Sequence, residues 1–235
     1  MSKKTLNQYR GHLTPENIVK GMKAANDNAK RLYEDAKLLL DNSRYASATS
    51  LAILSIEESG KISILREMAL ITNGKGLNKI WRRYRSHTEK NIAWILPDLV
   101  LKGARCMSDL REIFDANSDH PQILDQIKQI SFYSDCLGEC KWSIPNDIIK
   151  KSIADSLVKT AGIFISKEIT STKEIELWTK HLGPIWKEVT EGLQRKDIDI
   201  LQKAVENFEQ EMSELGLKLD EDNKLSDFIK YQKDK

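Results

Sequence analysis

The spacing of apolar residues predicts two long helices at the start of the chain. Residues 14–16 combine a hydroxyl that can cap a helix, a proline suited to its first turn and a carboxylate near its N-terminus. Apolar positions then recur at steps of three and four, at Met22, Ala25, Ala29, Leu32, Ala36 and Leu39. We expect Ser43 to cap a second helix from 44 to about 72, which residues 73–76 would end. So short a break between two long helices predicts an antiparallel hairpin.

The middle of the chain shows shorter helical patterns. A third helix is predicted to begin near Leu77, and Pro97 marks its kink or its end. Further helical patterns cover about 104–116, 121–133 and 146–169. The stretch between the last two, 134–145, is predicted to be irregular.

Beyond residue 171 the helical pattern starts again. One apolar stripe comprises Ile175, Trp178, Leu182, Ile185 and Val189. Another comprises Ile198, Leu201, Val205, Phe208, Met212 and Leu215. The second stripe is narrow, which is typical of a helix that pairs with one partner helix. From Asp220 the chain is charged, and we expect it to be frayed.

The composition agrees with a helical protein. The 235 residues include only 11 glycines and 5 prolines, too few for the many tight turns of an all-β chain. No apolar run approaches the roughly 20 residues of a membrane span, and the basic start of the chain lacks the apolar core of a signal peptide. We therefore expect an all-α protein in the cytoplasm, without a membrane partner.

Neither a metal nor a cofactor is expected. Cys136 and Cys140 are separated by three residues, with His120 upstream, but a zinc site needs a fourth ligand and usually a closer cysteine pair. Together with Cys106, these cysteines are predicted to be reduced thiols that are buried or half-buried. No pair of histidines or cluster of carboxylates has a spacing typical of a metalloenzyme.

Candidate chemistry is concentrated in residues 77–91. The whole chain has 37 basic and 35 acidic residues, so a case for nucleic-acid binding needs a local cluster. In this segment only Glu89 is acidic, and the five basic residues are Lys79, Arg82, Arg83, Arg85 and Lys90. Trp81 and Tyr84 lie among them, and cations with aromatic faces suit a phosphodiester backbone and stacked bases. The alternative is a helix whose aromatics pack inward while its arginines are solvated.

His87 adds a group that can move protons. Neighbouring arginines are expected to lower the pKa of its imidazole toward or below neutrality. A neutral imidazole can take the proton of a ribose 2′-hydroxyl, and its protonated form can return one to the leaving 5′-oxygen. An arginine can hold the phosphate and stabilise the charge of the transition state. These parts suffice for RNA cleavage without a metal, and DNA would not be cut because it lacks the 2′-hydroxyl.

The spacing of the arginines leaves two questions open. Arg82 and His87 are five residues apart and would diverge by about 140° on a regular helix, whereas Arg83 and His87 share a face. Either the helix is distorted near His87, or Arg82 and His87 border a cleft that a second molecule completes, as in a two-fold dimer. The spacing also leaves open whether Arg82 or Arg83 contacts phosphate.

The second helix contributes a candidate supporting carboxylate. Glu58 falls on an apolar stripe of this helix, whose other members are Leu51, Leu54, Ile62 and Leu65. A carboxylate there needs a partner, and a basic or imidazole group of the third helix is the natural candidate. Glu57 is predicted to form an ordinary surface pair with Lys61. Glu58, and with it Asn91, is therefore expected to support the site without contacting RNA.

Three segments of the chain resemble the AbiV family of abortive-infection proteins, which belongs to the HEPN superfamily. They lie between 28 and 61, between 81 and 91, and between 132 and 145. The first is the longest and the most specific. In the second, Arg82, four intervening residues and His87 match the HEPN arginine–histidine signature.

The resemblance implies an HEPN-like helical bundle over residues 14–170, with additional C-terminal helices over 171–235. It implies that Arg82 and His87 are the catalytic pair and that the helices bearing them form a homodimer. The residues predicted to bind RNA around this pair are Lys79, Arg83, Tyr84, Arg85 and Lys90. In two places the chain departs from many HEPN ribonucleases and toxins, since Arg83 replaces a polar, non-basic residue and Glu89 replaces a tyrosine.

Two hypotheses about function follow. The first is a dormant, metal-independent ribonuclease that arrests translation during phage infection once a phage-encoded activator binds it. The second is a non-catalytic module that binds a ribosomal component, a phage protein or a partner helix through its basic surface and the stripe at 198–215. Both predict association with RNA or the ribosome. Only the first predicts that His87→Ala abolishes RNA cleavage while folding and dimerisation persist.

Overall fold

The computed structural model confirms the all-α fold. It describes residues 7–71, 74–105, 107–115, 117–166, 170–186, 195–217 and 225–230. Within these ranges, none of the helices combines the length and the apolar character needed to cross a membrane. Predictions about residues 1–6, Asn73, Cys106, Val189 and the side chain of Ile198 lie outside the described residues.

The first two helices form the predicted antiparallel hairpin. Helix α1 (Pro15–Asp41) begins after Thr14, whose hydroxyl oxygen accepts the N–H of Asn17, and its apolar stripe is buried as far as Ala36. Helix α2 (Tyr45–Met68) ends earlier than predicted. The prediction that Ser43 caps α2 is wrong, because Ser43 adopts a left-handed backbone with φ 59° and no side chain caps this helix.

After α2 the predicted third helix is broken into short pieces. Helices α3 (Gly74–Arg85) and α4 (His87–Lys90) are followed by a 3-10 turn (Ile92–Ile95) and helix α5 (Leu96–Leu101). Pro97 lies in the first turn of α5, where its missing N–H breaks no helical hydrogen bond. The pattern at 104–116 is reduced to a 3-10 turn (Met107–Leu110) and helix α6 (Arg111–Phe114).

The next part of the chain contains a small β-hairpin where an irregular stretch was predicted. Helix α7 (His120–Phe132) leads into antiparallel strands β1 (Asp135–Leu137) and β2 (Lys141–Ser143), with Cys136 opposite Trp142. The single helix predicted from 146 to about 169 is two helices in the structure. They are α8 (Pro145–Ile148) and α9 (Lys151–Phe164), separated by extended backbone at Ile149 and Lys150.

The C-terminal helices pack on each other and on the hairpin. They are α10 (Thr172–Leu182), α11 (Arg195–Glu214) and α12 (Leu225–Lys230). The apolar stripe of α11 packs against α10 and α12, so its partner helices belong to the same chain. At the end of this stripe, Leu215 is exposed. The prediction of a frayed chain from Asp220 is wrong for α12, whose Ile229 is buried.

Helix α2 is the central helix of the fold. One apolar cluster joins it to α1, α7 and α9, and a second joins it to α1, α3 and α10. A third cluster holds α10, α11 and α12 together. Because α2 is covered on several faces, several of its polar residues are also buried, among them Ser50, Ser55 and Glu57.

Candidate active site

A break between two helices separates the residues of the arginine–histidine motif. Helix α3 ends at Arg85, and Ser86 has an extended backbone with φ −77° and ψ 134°. The hydroxyl oxygen of Ser86 accepts the N–H of Glu89 and so caps α4, which begins at His87. The predicted distortion of the helix is therefore confirmed, and Arg82 and His87 lie on different helices. The dimer cleft stays a prediction.

His87 exposes its imidazole while one ring nitrogen is held from behind. Its side chain is 57% exposed, and its Nδ1 lies 2.7 Å from Oε2 of Glu57, whose side chain is 3% exposed. Because a carboxylate accepts hydrogen bonds, this contact favours the tautomer with a proton on Nδ1. Nε2 has no hydrogen-bond partner among the described residues, so it is free to accept a proton. The sequence had predicted arginines around this ring, and the structure places a carboxylate against it.

Two lysines neutralise the buried carboxylate of Glu57. Nζ of Lys128 lies 2.6 Å from its Oε1, and Nζ of Lys90 lies 3.3 Å from its Oε2. Lys128 also lies 2.6 Å from a carboxylate oxygen of Asp125, so two ammonium groups balance two carboxylates. Burial lowers the pKa of Lys90, whereas at Lys128 the contacts with Asp125 and Glu57 outweigh burial and raise the pKa. This network holds the Glu57 carboxylate in place against the imidazole of His87.

The same cluster contains carboxylates and an imidazole, the kinds of group that can bind a metal ion. Ligand atoms of Glu57, His87 and Asp125 lie within 4.8 Å of one another. However, the ammonium group of Lys128 lies 2.6 Å from both carboxylates, where it provides the positive charge that a metal ion would bring. The arrangement therefore fits a lysine-supported imidazole better than a metal centre.

The two cysteines of the β-hairpin are more exposed than the sequence predicted. Cys136 and Cys140 are both exposed, with their Sγ atoms 3.5 Å apart. His120 is buried, and its ring nitrogens lie 2.7 Å from the hydroxyl of Ser118 and 2.8 Å from the carbonyl of Ile92. Since both nitrogens are engaged, His120 does not complete a zinc site with these thiols.

The supporting carboxylate is Glu57, and the prediction of Glu58 is wrong in this respect. Glu58 pairs at 2.5 Å with Lys61, the partner predicted for Glu57, and both side chains are half-buried. The apolar stripe through Glu58 was misleading because α2 is buried on several faces. A second stripe at steps of three and four, through Ile53, Glu57, Gly60 and Ile64, was the signal that could have found the right residue.

Four of the five basic residues of 77–91 form two pairs in the structure, and the fifth is the exposed Lys79. The first pair, Arg83 and Lys90, makes salt bridges with carboxylates of the same chain. Arg83 is half-buried and pairs with Glu67 at 2.6 Å and with Glu89 at 3.1 Å. Burial opposes the charge of Arg83, but these two carboxylates outweigh it and raise its pKa. Lys90 is buried against Glu57. Arg83 and Lys90 are therefore occupied by contacts within the chain, and their binding of RNA stays a prediction.

Arg82 and Arg85 form the second pair and line a groove. The groove has a volume of about 670 Å³, and its other lining residues are Arg10, Asn78, Trp81 and Ser86. The guanidinium of Arg85 lies 4.8 Å from the centre of the Trp81 ring and donates hydrogen bonds to backbone carbonyls alone. In the part of the chain that the structure describes, no carboxylate pairs with Arg82 or Arg85. The positive charges of Arg82 and Arg85 at the groove are therefore not balanced by a carboxylate of these described residues.

The aromatic residues of this segment pack inward. Trp81 is buried, and Tyr84 is half-buried with its ring edge-to-face against Trp81 at 5.4 Å. The ammonium of Lys61 lies over the Tyr84 ring, 5.4 Å from its centre. Tyr84, predicted to bind RNA, is therefore occupied by contacts within the chain. Lys79 is exposed on α3, and its contact with RNA stays a prediction.

Gly60 and Asn91 lie where α2 meets α4. Asn91 is fully buried, and its backbone bonds to Thr88 and Trp94. Its side-chain amide has no hydrogen-bond partner among the described residues, and its supporting role stays a prediction. A Cβ atom on Gly60 would overlap the carbonyl oxygen of Lys90. The close approach of α2 and α4, which brings Glu57 to His87, therefore requires glycine at position 60.

We expect Gly60→Ala to destabilise the protein and to reduce the activity of the site. The methyl group would push the Lys90 backbone away, and overpacking of this kind costs about 1–3 kcal/mol, more than the ~1 kcal/mol that alanine gains in helix propensity. Chemical denaturation measures the change. Gly21→Ala in α1 is the matched control, since its methyl group would lie 3.2 Å from the side-chain end of Leu65, whereas at Gly60 it would overlap a backbone oxygen. A Gly60→Ala protein as stable as Gly21→Ala would show that α2 and α4 do not meet at this point.

The comparison with protein families agrees with the all-α fold. The HEPN_AbiV family model, described as AbiV, matches residues 17–166. Because this match covers more than half of the 235 residues, the chain belongs to the AbiV family of HEPN proteins. Membership of this family indicates a role in abortive-infection defence against phage. Among curated proteins and among solved structures, no match to the chain was found.

Proposed function

We propose that this AbiV-family protein is a metal-independent endoribonuclease that arrests translation during phage infection. One observation carries the proposal. The exposed imidazole of His87 is held at Nδ1 by the buried carboxylate of Glu57, and the preceding residue, Ser86, lines a groove with two unpaired arginines. A base with a free nitrogen beside a cationic groove is what transesterification of RNA requires.

In the proposed reaction, Nε2 of His87 removes the proton of a ribose 2′-hydroxyl. The 2′-oxygen attacks the adjacent phosphorus, the bond to the 5′-oxygen breaks, and an imidazolium returns a proton to that oxygen. The products are a 2′,3′-cyclic phosphate and a 5′-hydroxyl. Glu57 orients the ring and stabilises its charged form, as a carboxylate does for histidine in other catalytic sites. Arg82 is the proposed phosphate ligand, because Arg83 is paired with Glu67 and Glu89.

We further propose the assembly in which this site works. Residues 14–170 form the HEPN-like AbiV domain that carries the site, and residues 171–235 form its C-terminal extension. A homodimer would bring two copies of His87 together, so that one imidazole acts as base and the other as acid. A phage-encoded activator would release the dormant enzyme.

A non-catalytic module that binds RNA or the ribosome is the second candidate. The unpaired charge of Arg82 and Arg85 supports it, since phosphate binding needs no catalytic group. The stripe at 198–215 does not support it, because the described residues of that stripe pack within the chain, apart from Leu215.

The test is an RNA cleavage assay in EDTA. Purified protein is incubated with cellular RNA, alone and with extract from phage-infected cells, which would supply an activator. New 2′,3′-cyclic phosphate ends, with DNA of the same sequence left intact, are the expected result. RNA that binds but stays intact in both conditions would favour the non-catalytic module.

A further inference from the structure

The segment before α1 packs along α3 and reaches the groove. The ring of Tyr9 meets the ring of Trp81 edge-to-face at 6.0 Å, and the backbone carbonyl of Tyr9 accepts a hydrogen bond from Arg85 at 2.6 Å. Nε1 of Trp81 donates to the carbonyl of Gly11 at 3.0 Å. Residues 9–11, which we call the N-terminal strap, are therefore attached to α3 on both sides of Arg10.

Arg10 differs from its neighbours Tyr9 and Gly11 in the contacts that it makes. It is exposed and lines the groove with Arg82 and Arg85. In the described ranges, no carboxylate pairs with Arg10, and its side chain does not attach the strap to α3. Three guanidinium groups thus surround one groove without an acidic residue in its lining. Their like charges repel one another, and an anion in the groove would relieve this repulsion.

We propose that Arg10 binds phosphate together with Arg82 and Arg85, which makes the groove a site for the backbone of single-stranded RNA. This inference rests on the proposed function for the choice of RNA as the ligand. It extends the site beyond the family match, which begins at residue 17. Single strands are favoured because a flexible backbone can place its phosphates against three separate guanidinium groups.

The test compares Arg10→Gln with a matched control, Arg44→Gln. Arg44 is also exposed and loses the same charge, but it precedes α2 at the end opposite Glu67 and Arg83, roughly 35 Å away along the helix. Binding of a short fluorescein-labelled single-stranded RNA is followed by anisotropy across a salt titration. All proteins carry His87→Ala, which prevents cleavage of the probe.

We expect Arg10→Gln to weaken RNA binding about 3- to 30-fold at low salt. The negative slope of log affinity against log salt should become less steep by about 0.7, the value for one phosphate contact with a single strand. Arg44→Gln leaves affinity and slope unchanged. Arg10→Lys keeps the slope, because it keeps the charge. Circular dichroism checks that each variant is folded.

The remaining outcomes separate this inference from the proposed function. If Arg10→Gln binds RNA with unchanged affinity and slope while Arg82→Gln binds more weakly, the role of Arg10 is overturned and the proposed function stands. Calorimetry with inorganic tripolyphosphate tests whether Arg10 binds phosphate when the protein does not bind RNA. Binding of tripolyphosphate that depends on Arg10, without binding of RNA, would retain Arg10 as a phosphate ligand and overturn the RNA function. Absence of both would overturn the two proposals together.

Discussion

Replacing His87 with alanine is expected to reduce RNA cleavage by about 10²- to 10⁴-fold, the usual contribution of general acid–base catalysis. The protein should stay folded, because the imidazole is 57% exposed and Lys90 and Lys128 still pair with the Glu57 carboxylate. RNA binding should persist, since the groove arginines are unchanged. The measurements are the rate of formation of 2′,3′-cyclic phosphate ends and the protection of cells against phage.

His181→Ala is the matched control for this prediction. Nε2 of His181 lies 2.7 Å from a carboxylate oxygen of Glu211, so this variant also removes an imidazole from a carboxylate. It should cleave RNA like the wild type. If His87→Ala cleaves as fast as His181→Ala, His87 is not the catalytic base. If the wild type does not cleave RNA, and His87→Ala protects cells as well as the wild type does, the non-catalytic module is the better explanation.

The second large effect is expected at Glu57. Its replacement by alanine would leave the buried ammonium groups of Lys90 and Lys128 without their shared carboxylate. Removing one partner of a buried ion pair costs about 3–5 kcal/mol, a large part of the roughly 5–15 kcal/mol that stabilises a typical protein. We expect the free energy of unfolding of Glu57→Ala to be about 3–5 kcal/mol lower than that of the wild type, as chemical or thermal denaturation would show.

Glu58→Ala is the internal control, because Glu58 is the next residue of the same helix and pairs with Lys61 where both side chains are nearly one-fifth exposed, at 18% and 19%. Its loss should cost less than the loss of Glu57, whose side chain is 3% exposed. Glu57→Gln also removes the charge, but its amide oxygen can still accept hydrogen bonds from the lysines. We therefore expect it to lose less stability than Glu57→Ala and to cleave RNA more slowly than the wild type, because an amide orients the imidazole less firmly. Equal stabilities of Glu57→Ala and Glu58→Ala would contradict the buried network.

Local patterns predicted the first helix of this fold well. The apolar steps of three and four in α1 identified the buried face, and the hydroxyl and proline at its start identified its first residue. These features depend on neighbours in the sequence, so they can be found without knowledge of the fold. The break at Ser86 and the β-hairpin after α7 were less accessible, because short elements with few local signals form according to what they pack against.

The roles of the charged residues could be assigned only from the tertiary structure. Glu57 and Glu58 are adjacent and chemically identical, and the packing of α4 and α7 against α2 decides which of them is buried. In the same way, Glu67 and Glu89 pair with Arg83, which favours Arg82 as the phosphate ligand.

The sequence by itself determined the helical class, the hairpin of α1 and α2, the resemblance to the AbiV family and the candidate pair Arg82 and His87. Only the tertiary structure decided which carboxylate holds the imidazole and which arginines pair with a carboxylate of the chain. It also placed Arg10 in the same groove as Arg82. The physical reason is that helix periodicity and capping act over a few residues. Burial of a charge depends on partners that are distant in the sequence, such as Lys128 for Glu57.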